Sequence, residues 1–104
     1  LANNQSSVAD VTGLLFNGAA VRSAWIRFSI YRSTSLSEQE STGNISLGYK
    51  TTAADWTIST EGFQGNAGIT FSVTSSGQVQ YISTNMAGTG YVGTVKWLYK
   101  TISV

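Results

Sequence analysis

The five carboxylates of this chain are the side chains best suited to acid-base or nucleophilic catalysis. Two suitably spaced acids suffice for glycoside hydrolysis, one as the general acid and the other as nucleophile or base. Each of the five lies within two residues of Ser, Thr or Gly at a predicted turn or strand end, where acids are normally solvated. We therefore expect no catalytic residue among them. They are Asp10, Glu38, Glu40, Asp55 and Glu61.

Other reactive groups are missing from the composition. The chain has no cysteine and no histidine, which excludes thiolate and imidazole metal ligands, cysteine nucleophiles and histidine acid-base catalysis. Asp10, Asp55 and Glu61 could contribute oxygens to calcium, but no calcium-binding loop motif is present. Glycine loops that hold phosphate usually open a helix, and no helix is predicted. We expect no enzyme, no metal and no cofactor.

Aromatic residues offer a different kind of site. Residues 21–32, "VRSAWIRFSIYR", alternate with the period of a strand. Ala24, Ile26, Phe28 and Ile30 form the predicted core row, which leaves Trp25, Arg27, Ser29 and Tyr31 on the opposite face.

Three interpretations of that opposite face stay open. Flat aromatic rings beside hydrogen-bonding groups bind sugars, and they also act as anchors at protein interfaces. Alternatively, a bulge could bury both faces within one sandwich. We favour the protein interface, because a chain with few charges and no proline suits packing into an assembly.

The glycine-rich segment "NMAGTG", residues 85–90, is a second candidate contact site. Gly88 and Gly90 are expected to let the backbone turn, and short side chains let another molecule approach. We expect Asn85, Gly88 and Gly90 to meet a small ligand or a neighbouring subunit through backbone groups.

The remaining segments indicate an antiparallel β-sandwich of about seven strands. Alternating runs are separated by turn residues, including Asn17-Gly18 and Ser76-Gly77, and a loop is predicted over residues 63–68. A strand starting near Gln39 continues through "ISLGYK". The tyrosines and tryptophan of the last two strands are predicted core residues: Tyr81, Tyr91, Trp97 and Tyr99.

Charge limits the partners. Charged residues make up 11% of the chain, where about 25% is usual, and the net charge is +1. Such a surface has no electrostatic footprint for nucleic acid, and no apolar run approaches the roughly 20 residues that span a bilayer. We expect a soluble chain that binds no nucleic acid and does not insert into membranes.

One domain is predicted over residues 11–104, preceded by an N-terminal arm or linker over residues 1–10, "LANNQSSVAD". The chain begins with Leu1 instead of Met, and we expect it to be a piece of a longer protein.

Two phrases carry a resemblance to a known family. "ADVTGL" with the following "AVRS", and "GQVQYISTNMAG" followed by "GTVKW", resemble a β-structured domain of tail-fibre and related virion proteins of bacteriophages. The resemblance spans about residues 8–100. It implies a surface-exposed structural module in a virion appendage, often oligomeric, and transfers no catalytic motif.

The resulting hypothesis is a non-enzymatic structural module of a phage virion, a tail fibre or decoration element that acts in assembly and host-surface attachment. Its partners would be further copies of itself or neighbouring virion proteins. The alternative is a carbohydrate-binding module of a receptor-binding tip, in which Trp25, Tyr31 and the 85–90 loop face a host glycan.

Overall fold

The predicted β-sandwich is confirmed by a computed structural model that describes all 104 residues. Seven antiparallel strands form the whole of the regular structure, and the fold contains no helix of the length and hydrophobicity that a membrane span requires. The strands are β1 (Ala9–Leu15), β2 (Val21–Ser33), β3 (Glu38–Lys50), β4 (Asp55–Gly65), β5 (Ile69–Val73), β6 (Gln78–Ser83) and β7 (Val92–Ser103).

The strands form two sheets of unequal size. The smaller sheet has the order β1-β6-β5, and the larger has the order β4-β3-β2-β7. In the larger sheet, β2 pairs with β3 without interruption from Ser23 opposite Gly48 to Ser33 opposite Glu38. Because the strands of the larger sheet are about twice as long, it presents a broad surface on the side facing away from the smaller sheet.

The core lies between the sheets and follows the alternation of β2. Ile26 is fully buried and Ile30 nearly so, and both pack against the row that Ile45 occupies on β3. Phe71 of the smaller sheet meets the Phe28 ring edge-on at 5.2 Å between centroids. Burial of each such side chain contributes about 1.5–3 kcal/mol, so the core row of β2 predicted from the sequence fixes which face of the larger sheet points inward.

Both predicted turns occur, but the requirement for glycine has a different physical cause at Gly18 than at Gly77. Gly77 has a φ of 95°, and a side chain there would meet the Phe16 carbonyl oxygen, so glycine is required. Gly18 has no positive φ, although an Asn-Gly dipeptide commonly supplies one in a tight turn. Instead, a Cβ at Gly18 would lie 2.6 Å from the Tyr49 ring, so the constraint is packing.

The predicted loop over residues 63–68 is confirmed for residues 66–68 and wrong for residues 63–65. β4 continues to Gly65 because β3 offers partners along its whole length, and Gln64 pairs with Thr42. A bulge beside Gly62 accommodates the extra residue Phe63. The extension also places Glu61 in the middle of a strand, so the expectation that every acid lies at a turn or strand end is wrong for this residue.

Tyr99 is not a core residue, again contrary to prediction. Its side chain is 48% exposed because β7 is an edge strand that the smaller sheet covers only in part. The Phe16 ring contacts one side of it, edge-on at 5.2 Å. Tyr81 is buried as predicted, while Trp97 packs against the rim of the core.

Residues 1–8 lie against the end of the smaller sheet. Ser83 N donates to Gln5 O at 3.0 Å, and Gln5 N donates to Ser83 Oγ at 2.9 Å. Asn3 bonds to Met86 in both directions, through its amide oxygen at 2.8 Å and its amide nitrogen at 3.0 Å. The segment therefore adds hydrogen bonds to the domain instead of projecting from it.

Arg32, at the end of the core row of β2, is fully buried and has no carboxylate partner. Its guanidinium donates to the carbonyl oxygens of Ala67 and Thr84, both at 2.6 Å. It also donates to the Tyr91 hydroxyl at 3.2 Å and to Asn3 Oδ1 at 3.1 Å. One side chain thus joins β2 to three segments that are distant in sequence.

Candidate functional site

The outer face, defined as the side of the larger sheet that points away from the smaller one, carries the first group of predicted site residues. Trp25, Arg27, Ser29 and Tyr31 all lie on it, as the alternation of β2 requires. The Trp25 and Tyr31 side chains are 38% and 41% exposed, so the sandwich itself does not bury them.

Trp25 stands beside a shallow depression of about 450 Å³. Ser46 and Lys100 flank it on the neighbouring strands, and Ile102 closes one end. In the amide orientation that satisfies both groups, Asn44 accepts a hydrogen bond from Trp25 Nε1 at 3.2 Å. This bond orients the indole while leaving one part of its surface accessible.

Arg27 lies over an aromatic ring instead of pairing with an acid. Its guanidinium carbon is 4.8 Å from the centroid of Phe63, the extra residue of the β4 bulge. Phe63 follows Glu61 by two residues and lies on the same outer face, where it is 47% exposed. A second depression, of about 290 Å³, lies between Arg27, Lys96 and Leu98.

Tyr31 is held by a neighbouring acid. Its hydroxyl donates to Glu38 Oε2 at 2.7 Å across the β2–β3 hairpin. The bond fixes the ring on the outer face, about 20 Å along β2 from Trp25, because six residues of strand separate them.

β7 contributes apolar residues that the sequence analysis did not select. Val92, Leu98 and Ile102 are 50%, 60% and 67% exposed, and they continue the outer face beyond β2. The alternation of β7 contained the necessary signal, since Trp97 faces inward and its neighbour Leu98 must then face outward.

The 85–90 loop does not lie beside Trp25. It forms hydrogen bonds with other segments of the chain. Gly88 and Gly90 adopt positive φ, 118° and 65°, as expected of turning glycines. Ser35 Oγ accepts from Thr89 N at 2.9 Å, and Thr34 Oγ1 donates to the Ala87 carbonyl at 2.7 Å.

Backbone groups at the tip of this loop are therefore largely paired with the β2–β3 turn and with Asn3. Asn85 and Gly90 are exposed beside them. The structure brings Trp25, Arg27 and Tyr31 onto one face, and it places Asn85, Gly88 and Gly90 in a loop that packs near the β2–β3 turn.

The carboxylates do not converge in one depression: Glu38 and Glu40, two residues apart on β3, are exposed and line none of the four surface depressions. Asp55 and Glu61 lie six residues apart on β4, a separation of about 20 Å along a strand. Asp10 accepts a hydrogen bond from Gln80 on the smaller sheet at 2.8 Å. No group of three or more acids lies close enough together to hold a metal ion.

No family model, no curated protein and no solved structure matches this chain.

Proposed function

We propose that the chain is a non-enzymatic structural module that associates with further copies of itself, or with neighbouring modules, through the outer face. The observation that carries the proposal is the set of exposed apolar side chains on that face, in a chain whose inner face already forms a complete core. They are Trp25, Tyr31, Phe63, Val92, Leu98 and Ile102.

The size of the outer face supports this role. Four strands about 4.8 Å apart and roughly 12 residues long at ~3.3 Å per residue present a face of about 700 Å². That approaches the roughly 800 Å² per partner of a standard stable interface. Ser, Thr and Asn occupy much of the face between its charged side chains and can form hydrogen bonds across an interface.

The distribution of acids supports a role without catalysis. Hydrolysis of a glycosidic bond needs two carboxyl groups within about 10 Å of each other. Asp55 and Glu61 are about twice that distance apart along their strand. Glu38 and Glu40 are closer, about 7 Å apart along β3, but both are exposed and line no depression that could hold a sugar. Asp55 is also paired with Lys50 at 3.7 Å.

The resemblance to tail-fibre domains supplies the setting. We place the module in a phage virion appendage, a tail fibre or decoration element, where it would act in assembly and take part in attachment to the host surface. The separate 85–90 loop would then contact a neighbouring module through its exposed Asn85 and Gly90 side.

We expect the isolated chain to form an oligomer that dissociates in the Trp25→Ala, Tyr31→Ala double variant. Truncating aromatic anchors at the centre of an interface typically costs 2 kcal/mol or more of binding free energy, about 30-fold in affinity. Light scattering over a concentration series measures the mass, and circular dichroism verifies the fold.

The matched control is Leu36→Ala, Ile82→Ala, which removes two exposed apolar side chains that lie off the outer face. It should leave the mass of the oligomer unchanged. An oligomer that survives the aromatic double variant but dissociates in this control would contradict the proposed interface.

Glycan binding is the second candidate, favoured by the depression beside Trp25 with its hydroxyl-bearing neighbours. It predicts a monomeric chain that binds immobilised oligosaccharides, with binding lost in Trp25→Ala alone. A monomer at all concentrations, combined with such binding, would replace the assembly function with this one.

A further inference from the structure

The outer face is divided into a basic and an acidic half. Its cations without an ion-pair partner, Arg27, Lys96 and Lys100, lie on β2 and β7, and we call them the basic strip. Its unpaired acids lie on the other two strands, and we call Glu38, Glu40 and Glu61 the acidic strip. All six side chains are exposed.

Neither strip is neutralised within the chain. The only ion pair is Lys50 with Asp55, at the far end of the β3–β4 hairpin. Arg27 stacks on Phe63, and Glu38 accepts from the Tyr31 hydroxyl, so their charges are also left without an opposite charge within 4 Å. A surface with separated, unneutralised strips of opposite sign is complementary to itself.

Resting on the proposed function, we infer that two copies pack outer face to outer face about a two-fold axis that runs along the strands. This axis places β7 of each copy over β4 of the other, so that Glu61 of each acidic strip faces the lysines of the opposite basic strip. An in-plane axis across the strands would place β7 over β7, and Lys96 and Lys100 would then meet lysines.

The axis also fixes the register. Leu98, Arg27, Asn44 and Glu61 form one row across the sheet, and a two-fold axis along the strands allows no sliding. Glu61 of the second copy then lies over Leu98, between Lys96 and Lys100, each about 7 Å away along β7. Both lysines have stems long enough to reach it.

Apolar contacts agree with the same arrangement. Leu98, the 60% exposed residue at the centre of β7, would pack against Phe63 of the second copy, next to Glu61. Trp25 would be covered by the row that contains Ser46, a small residue that leaves room for the indole. An acidic glycan would neutralise the basic strip alone and leave the acidic strip exposed, so a second copy accounts for more of the surface.

Charge reversal tests the arrangement. We expect Lys96→Glu, Lys100→Glu and, separately, Glu61→Lys to weaken self-association at least roughly 10-fold, because each places like charges across the interface. Mixing the two variants should restore association as a heterodimer, since both contacts are then again between opposite charges. Asp10→Lys, a reversal on the smaller sheet, is the matched control and should associate as the unaltered chain does.

The outcomes separate this inference from the proposed function. If the unaltered chain associates through Trp25 and Tyr31 but the charge variants behave like Asp10→Lys, the two-fold arrangement is wrong and the assembly function remains. Failure of the mixture to associate also overturns the arrangement. A chain that is monomeric at all concentrations overturns both, and binding of an acidic oligosaccharide to that monomer would assign the basic strip to a glycan.

Discussion

Arg32→Met is expected to lower the free energy of unfolding by about 3 kcal/mol. Methionine fills a similar volume, but it cannot donate to the Ala67 and Thr84 carbonyls, which Arg32 now meets at 2.6 Å. The Ala67 carbonyl is then a buried acceptor without a donor, which costs about 1–3 kcal/mol, and the Thr84 carbonyl keeps only its bond from Asn4 N at 3.2 Å. The Tyr91 hydroxyl and the Asn3 amide lose a partner as well.

Recovery of the desolvation penalty of Arg32 opposes this loss of stability. A buried charge carries a desolvation penalty, and replacing buried ionic groups by apolar ones is sometimes neutral or stabilising. Here the guanidinium bonds to backbone carbonyls of loops that cannot turn to solvent without breaking their own contacts. The lost hydrogen bonds therefore outweigh the recovered desolvation.

Urea denaturation followed by tryptophan fluorescence measures the effect. Arg22→Met is the matched control, because Arg22 is exposed on the same strand, and it should change stability by less than about 0.5 kcal/mol. A variant at position 32 as stable as the unaltered chain would mean that desolvation of the charge dominates.

Strand alternation predicted the direction of Arg32 but not its burial. The residue shares its parity with Ile26 and Ile30, so a strand that continued to position 32 had to point it inward. A cation at the end of a strand is normally solvated. Its acceptors come from positions 3, 67, 84 and 91, and no local pattern indicates that they converge.

Long-range contacts account for the errors in β4 and β7: strand pairing in β4, and coverage by the smaller sheet in β7. Glycine and glutamine are poor strand formers, yet residues 63–65 are strand because β3 supplies a partner. The alternation of β7 was interpreted correctly, but burial of Tyr99 depended on how far the smaller sheet extends. Sequence periodicity therefore predicted which face of a strand a side chain lies on. It predicted less well where a strand ends and whether the other sheet covers the side chain.

The residues of the candidate site likewise include some that strand periodicity predicted and some that it did not. Trp25, Arg27 and Tyr31 were found because they lie on one strand and obey one period. Phe63 was missed because residues 63–68 were predicted to be a loop, whereas β4 continues to Gly65 and keeps Phe63 on the face that carries Glu61. Leu98 and Ile102 became part of the site through the position of β7 next to β2, a long-range feature of the topology.

Ile26→Ala should destabilise the chain by about 3–4 kcal/mol, whereas Trp25→Ala should cost about 1 kcal/mol or less. Ile26 is 0% exposed, and truncating such a side chain loses its transfer free energy and leaves a cavity. Trp25, the next residue along β2, is 38% exposed and has one hydrogen bond, to Asn44.

This contrast can be measured at concentrations where the chain is monomeric, so that association adds nothing to stability. Equal losses in the two variants would mean that the outer face is already covered within one chain, which would remove the basis for an interface at Trp25. The expected inequality has the opposite consequence. If Trp25 contributes little to the folded monomer, then a loss of association in its alanine variant measures contact with another molecule rather than partial unfolding.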